Sequence, residues 1–131
     1  MTDRRQTYCE GSRFEELAAY SRAVRVGAHV SVSGTAPIDA GGLVHLDHAY
    51  GQTLFALRKA MAATAALGAG PEDVLRTRLL LAPGADWEGA VRAHGEVLAD
   101  VRPANTTYFV GGFVPDVLVE VELDAVVAHT T

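Results

Sequence analysis

Val117-Leu118-Val119-Glu120-Val121-Glu122-Leu123-Asp124-Ala125 alternates strictly, and it follows at short distance the polar run Arg102-Pro103-Ala104-Asn105-Thr106-Thr107. In a β-strand successive side chains leave on opposite faces, so Val117, Val119, Val121, Leu123 and Ala125 share one face and Glu120, Glu122 and Asp124 the other. The first face belongs to a core. The second is either the wet side of an antiparallel sheet or, if a helix or another chain covers it, the floor of a site. A second predicted strand, Val74 to Ala82, sends Arg76 and Arg78 to one side and Thr77, Leu79 and Leu81 to the other. Opposite charges on neighbouring strands support pairing, so these arginines are expected to neutralise the acidic row.

Outward from that strand the turn signals cut the chain into short elements. Ala19 to Val26 alternates, with Tyr20, Arg22, Val24 and Val26 on one face, and Gly27-Ala28 suits a type II′ turn into a second arm, His29 to Gly34. That arm directs His29, Ser31 and Ser33 one way and Val30 and Val32 the other. Pro37 to Gly42 reads as loop. From Tyr50 the period becomes helical, with Leu54, Leu57, Met61 and Ala65 as an apolar stripe ending at Gly68, a left-handed cap. Asp86 is an N-cap for a second helix whose positions Trp87, Val91, His94 and Leu98 share a face and point inward. Thr106 to Val110 reads as a strand before the final one. Hairpin, helix, strand, helix and two strands predict an α+β sheet with both helices on one face.

Composition sets the outer limits. With 131 residues, 49% hydrophobic and 21% charged, residues 1–131 are expected to form a single domain, with residues 1–13 as a loose N-terminal segment. A net charge of −5 with Lys59 as the one lysine argues against nucleic acid or an anionic membrane as partner. No apolar run reaches the roughly 18 residues that span a bilayer, and Met1 to Gln6 lacks the apolar centre of a secretory signal, so a cytoplasmic location is expected. Cys9 has no partner for an intrachain disulfide. His45 and His48 stand three apart without a third ligand, and no metal site is expected.

Tyr20-Ser21-Arg22-Ala23-Val24, the Ser33-Gly34 turn, the Val74 to Leu81 strand, Pro103-Ala104-Asn105-Thr106 and Val119-Glu120-Val121-Glu122 occur in an order and at spacings that resemble the reactive intermediate deaminase family, RidA or YjgF, also known as L-PSP endoribonucleases. The resemblance runs from Phe14 to Val127. It implies a chorismate-mutase-like fold, a homotrimer with three clefts between subunits, and hydrolysis of enamines and imines without cofactor or metal. In such a cleft the family's glutamate matches Glu120, its tyrosine matches Tyr20, and its hairpin hydroxyl matches Ser31 or Ser33. Its carboxylate-gripping arginine matches Asn105, with Thr107 two places on. A neutral amide in place of a bidentate guanidinium sacrifices roughly 1 to 3 kcal/mol of carboxylate binding.

Two further residues enter as ligand contacts. Arg22 is the first candidate to restore a positive charge, against the reading of a surface ion-pair partner. His94 titrates near neutrality and is an acid-base candidate, against the reading of a packed core histidine. Glu120 is expected either to act in acid-base chemistry or to be held ionised by Arg76 or Arg78. The functions left open are a hydrolase or deaminase of a small imine, enamine or carbonyl compound, a trimeric small-molecule-binding protein without chemistry, and, with least support from the charge, a ribonuclease or translation inhibitor.

Overall fold

The computed structural model describes residues 4–45 and 47–128. In chain order the elements are β1 (Gln6–Tyr8), α1 (Arg13–Ala18), β2 (Ala23–Val26), β3 (His29–Thr35), β4 (Ile38–Asp39), β5 (Gly42–Leu43), α2 (Ala49–Ala66), β6 (Val74–Leu81), α3 (Trp87–Leu98), β7 (Ala104–Phe109) and β8 (Val119–Val126). Six strands form one sheet in the order β1-β2-β3-β8-β6-β7, and β4 and β5 make a small separate ribbon. The last strand is inserted between β3 and β6, antiparallel to both. Only β6 and β7 run parallel, joined through α3. This is a mixed α+β sheet with α2 and α3 packed together on one face.

The alternation of the last strand holds along its length. Val119, Val121, Leu123 and Ala125 are all buried under the helices, and Glu120, Glu122 and Asp124 face the opposite side. Opposite Val121 and Leu123 stand Leu79 and Thr77 of β6, and Val32 of β3 pairs with Leu123, so the core is centred on β8. Each of these aliphatic side chains contributes roughly 1.5 to 3 kcal/mol by leaving water.

Where the sequence reading and the structure part, the reasons are physical. The expected stripe on α2 is rotated. Ala49, Gln52, Thr53, Ala56, Leu57, Ala60, Ala63 and Thr64 are buried, Leu54 and Met61 are half-buried, and Ala65 is exposed. Small side chains let the helix approach the sheet closely. The polar ones are satisfied locally: Thr53 Oγ1 donates to the Ala49 carbonyl at 2.8 Å and Gln52 Oε1 accepts from Leu118 N at 2.8 Å. On α3 the buried positions are Gly89, Ala90, Ala93 and Leu98, and Trp87 is 51% exposed. Asp86 does cap this helix, accepting from Gly89 N at 3.2 Å.

The segment expected to be loose contributes β1, which pairs with β2, and residues 1–3 of it lie outside the described residues. The first predicted strand, Ala19 to Val26, is shortened. Ser12-Arg13-Phe14-Glu15 forms a capping box that starts α1, and Ala19, at φ 59°, ends that helix just before Tyr20. Gly27, at φ 61°, closes the hairpin between Val26 and His29 as the turn requires. No helix among the described residues is long and apolar enough to cross a membrane.

Candidate functional site

The acidic row divides into two environments. Arg78 lies 3.7 Å from Glu122 and 3.4 Å from Asp124, so two of the three carboxylates share one guanidinium on the solvated face. Arg76 turns away and donates to Thr106 Oγ1 at 2.9 Å. Neither arginine reaches Glu120. The expected neutralisation therefore holds for Glu122 and Asp124 and leaves the first acid free.

Glu120 lines a pocket of about 750 Å³ that Lys59 of α2 also reaches. Three segments make its wall: α1 through Phe14 and Ala18, the stretch after β3 through Ala36 and Ile38, and the loop Gly112–Pro115. The β3–β8 ladder slips register between Val32 and Thr35, and Gly34 sits in that irregularity. A Cβ at residue 34 would fall 2.9 Å from Glu120 Oε1, so the absence of a side chain there lets the carboxylate rest against backbone. Burial pushes the Glu120 carboxyl above the ordinary carboxylate range; the Arg22 charge opposes this and Glu122 adds to it.

Tyr20 and Arg22 stand beside that acid. Arg22 is 8% exposed, Nη2 donates to the Gly34 carbonyl at 2.9 Å, and its guanidinium carbon lies 5.7 Å from the Tyr20 ring centre. This overturns the surface reading of Arg22. Ser31 stands elsewhere: it donates to Asp124 Oδ1 at 2.8 Å and does not line the pocket, while Ser33 donates to the Ser21 carbonyl at 2.7 Å.

The other expected site residues assemble on the helix-covered face. Asn105 Nδ2 contacts the Thr77 carbonyl at 3.5 Å and Thr77 Oγ1 at 3.0 Å, and Thr107 Oγ1 donates to Asn105 Oδ1 at 2.8 Å. A carbonyl only accepts, which fixes the amide orientation. Thr77 Oγ1 also lies 2.7 Å from His94 Nε2, a hydrogen bond whose direction follows the imidazole tautomer. Thr107, Asn105, Thr77 and His94 thus form one connected hydrogen-bond chain. Burial holds the His94 imidazole below the ordinary histidine value, which favours its neutral form.

Within one chain these two clusters lie on opposite faces of the sheet. Glu120 pairs with Leu80, whereas Asn105 pairs with Thr77, three residues along β6 and on the other face. Thr77, Gly34 and the wall from Phe113 to Pro115 escaped the sequence reading. For Thr77 a signal existed, since a hydroxyl stood among leucines on a core face. For the loop wall no periodicity marks it. Among the described residues no three metal-ligating side chains converge.

A mixed sheet with a late central strand, two helices on one face and a carboxylate row on the other defines an α+β protein of the split β-α-β kind. The chain belongs to the family described as Endoribonuclease L-PSP, whose model matches residues 10–127, which is also the YjgF/UK114 family. It is 40% identical over 116 residues to the Streptomyces coelicolor protein SCO2049, covering 88% of this chain and 87% of that one. The crystal structure of Rv2704 from Mycobacterium tuberculosis, a YjgF/YER057c/UK114 member, superposes with a TM-score of 0.84 at 34% identity over 95% of this chain and all of that one. Escherichia coli TdcF, crystallised with bound serine, shares the fold at a TM-score of 0.77 and 19% identity, over 93% of each chain.

Proposed function

We propose that this protein is a cofactor-independent hydrolase of a small imine, enamine or related carbonyl metabolite, acting in clefts between the subunits of a homotrimer. One subunit brings Glu120 and Tyr20, with Arg22 beside them; the neighbour brings Asn105, Thr107 and His94. The observation that carries this reading is Glu120 itself. Among the described residues it is the acid of its row left without an ion-pair partner, set in the wall of a pocket with its carboxyl raised above the ordinary range.

A protonated Glu120 gives its proton to the imine nitrogen as water adds to the carbon, and the resulting carboxylate takes the proton that water releases. The carbinolamine then collapses: the hydroxyl proton passes through the same carboxyl to nitrogen, the C–N bond breaks, and carbonyl compound and ammonia leave. General acid-base help of this kind is worth about 10²- to 10⁴-fold. Tyr20 closes one side of the cleft. Asn105, with one amide hydrogen and one carbonyl lone pair still free, orients a neutral polar group, which favours substrates other than the simple 2-imino acids that an arginine would grip.

The expected result is ammonia release from imines generated in situ, falling by about 10²-fold or more in Glu120→Gln. Undiminished turnover in that variant would remove Glu120 from the chemistry. A second reading, a trimeric small-molecule-binding protein without catalysis, is favoured by the way Thr77 and Thr107 already occupy both ends of the Asn105 amide. Under that reading wild type is inert and Asn105→Arg gains turnover. Ribonuclease activity finds little support in a chain of net charge −5.

A further inference from the structure

We propose that Thr77 is a positioning residue that makes Asn105 a reader of neutral carboxamides, so that the substrate carries a carboxamide, open-chain or lactam, where an imino acid carries its carboxylate. The inference rests on the reading of Asn105 as a wall of the ligand cleft.

Thr77 and Asn105 stand opposite each other in the parallel ladder of β6 and β7. Thr77 is fully buried, so its hydroxyl is out of reach of a ligand. It works on the asparagine instead. Asn105 Nδ2 donates to Thr77 Oγ1 at 3.0 Å with the Thr77 carbonyl at 3.5 Å beside it, and His94 Nε2 closes on the same hydroxyl at 2.7 Å. On the other end of the amide, Thr107 Oγ1 donates to Oδ1 at 2.8 Å. A half-turn of the amide would set Oδ1 against the Thr77 carbonyl, two acceptors face to face, so the group is held in one orientation. One hydrogen and one lone pair are spent within the chain; one of each is left. Because β7 is an edge strand and Asn105 is exposed on it, that remainder is open to a ligand.

A donor beside an acceptor selects its complement. A carboxamide supplies both halves, its carbonyl taking the Nδ2 hydrogen and its N–H giving to Oδ1. An ionised carboxylate only accepts. One of its oxygens can take the hydrogen, and the other meets the Oδ1 lone pair with no proton between them, which is a built-in penalty against the acid. The cluster holds no cation to offset it: among the described residues no lysine or arginine hydrogen-bonds to Asn105, Thr77 or Thr107. Arg76 adjoins Thr77 in sequence but donates to Thr106 on the other face. Arg13, Arg22 and Lys59 line the Glu120 pocket, where Arg22 donates to the Gly34 carbonyl and Lys59 to that of Ile38. If one of them reached across the subunit boundary to the ligand, the carboxylate would be preferred, an outcome the experiment reads directly.

Asn105 is the one asparagine of the chain, so its side-chain NH₂ group gives a single pair of NMR signals that Asn105→Leu identifies. The test is titration of the intact ¹⁵N-labelled protein with propionamide, 2-pyrrolidinone and propionate at neutral pH. Both amides are expected to shift the Asn105 pair in wild type, and propionamide to bind about tenfold more tightly than propionate. In the near-isosteric Thr77→Val that preference is expected to vanish, and in Thr77→Ser, which keeps the hydroxyl, to persist. A purely structural role of Thr77 would weaken both ligands alike and leave their ratio unchanged. Propionate bound as well as propionamide in wild type, an Asn105 pair that moves with neither amide, or an unchanged ratio in Thr77→Val would overturn the proposal. If it falls while Glu120→Gln still abolishes imine turnover, the hydrolase reading stands without it. If the amide preference follows expectation and no imine bearing a carboxamide is turned over, the hydrolase reading alone falls.

Discussion

Glu120 and Glu122 differ by two positions and share a strand face, yet their surroundings assign them different work. Glu122 stands with Arg78 on an open surface, where such a pair contributes about 0 to 1 kcal/mol. Glu120 rests on Gly34 in the wall of a pocket. The substitution Gly34→Ala is therefore expected to push the carboxylate aside and to cut turnover by at least about tenfold with little change in the melting curve. Equal turnover in Gly34→Ala would mean that the resting position of the acid does not matter. His94 makes a second prediction at this scale. Its native form is held neutral, so the unfolded chain takes up a proton that the native state refuses. Stability is full above the ordinary histidine value and declines as pH falls through it. Urea melts across that range should show the decline, and His94→Gln should flatten it.

Among the elements, α1 was hidden although its signal was present. Ser12 and Glu15 have capping-box spacing, but the alternation from Ala19 onward drew the chain into a strand, and the helix ends only because Ala19 adopts a left-handed conformation. Burial raises the Glu15 carboxyl, but the backbone N–H groups of Glu10 and Ser12 outweigh it and hold the group below the ordinary value. Its contribution is thus present above that value and lost as pH falls through the native one. Glu15→Gln is expected to cost about 0.5 to 2 kcal/mol at neutral pH and to shrink toward nothing in acid, by chemical denaturation. On α2 the expected stripe holds in part: Leu57 is fully buried and Met61 packs against the core, but Leu54 is half-buried and Ala65 exposed, because close packing to the sheet favours alanine and threonine. By contrast the faces of β8 were legible, since a strictly two-residue period leaves one register that buries the valines, although the strand starts at Val119 and not at Val117. Leu123→Ala should cost about 2 to 5 kcal/mol.

The whole molecule carries the feature that a single sequence encodes least directly. Glu120 and Asn105 were both singled out from the chain, but a strand pattern specifies faces and not which faces meet in an assembly. In one chain the two residues lie on opposite sides of the sheet. The surface around them is apolar where a lone domain would be wet: Leu17 is 76% exposed, Val114 88% and Phe109 51%. A homotrimer that covers these side chains is expected to sediment at three times the chain mass, and a stable monomer would leave both half-sites incomplete. The fold class and the family were thus readable from strand period and motif order. Candidate site residues could be named from the chain, but a strand period does not say which of them share a cavity.

Subunit complementation tests the shared cleft most directly. Glu120→Gln and Asn105→Leu are each expected to lose imine turnover as pure proteins. If every cleft takes Glu120 from one subunit and Asn105 from the next, unfolding the two together in equal amounts and refolding them restores about one quarter of the wild-type sites, and ammonia release returns to that level. A refolded mixture no more active than the sum of its parents would contradict a cleft built from two chains.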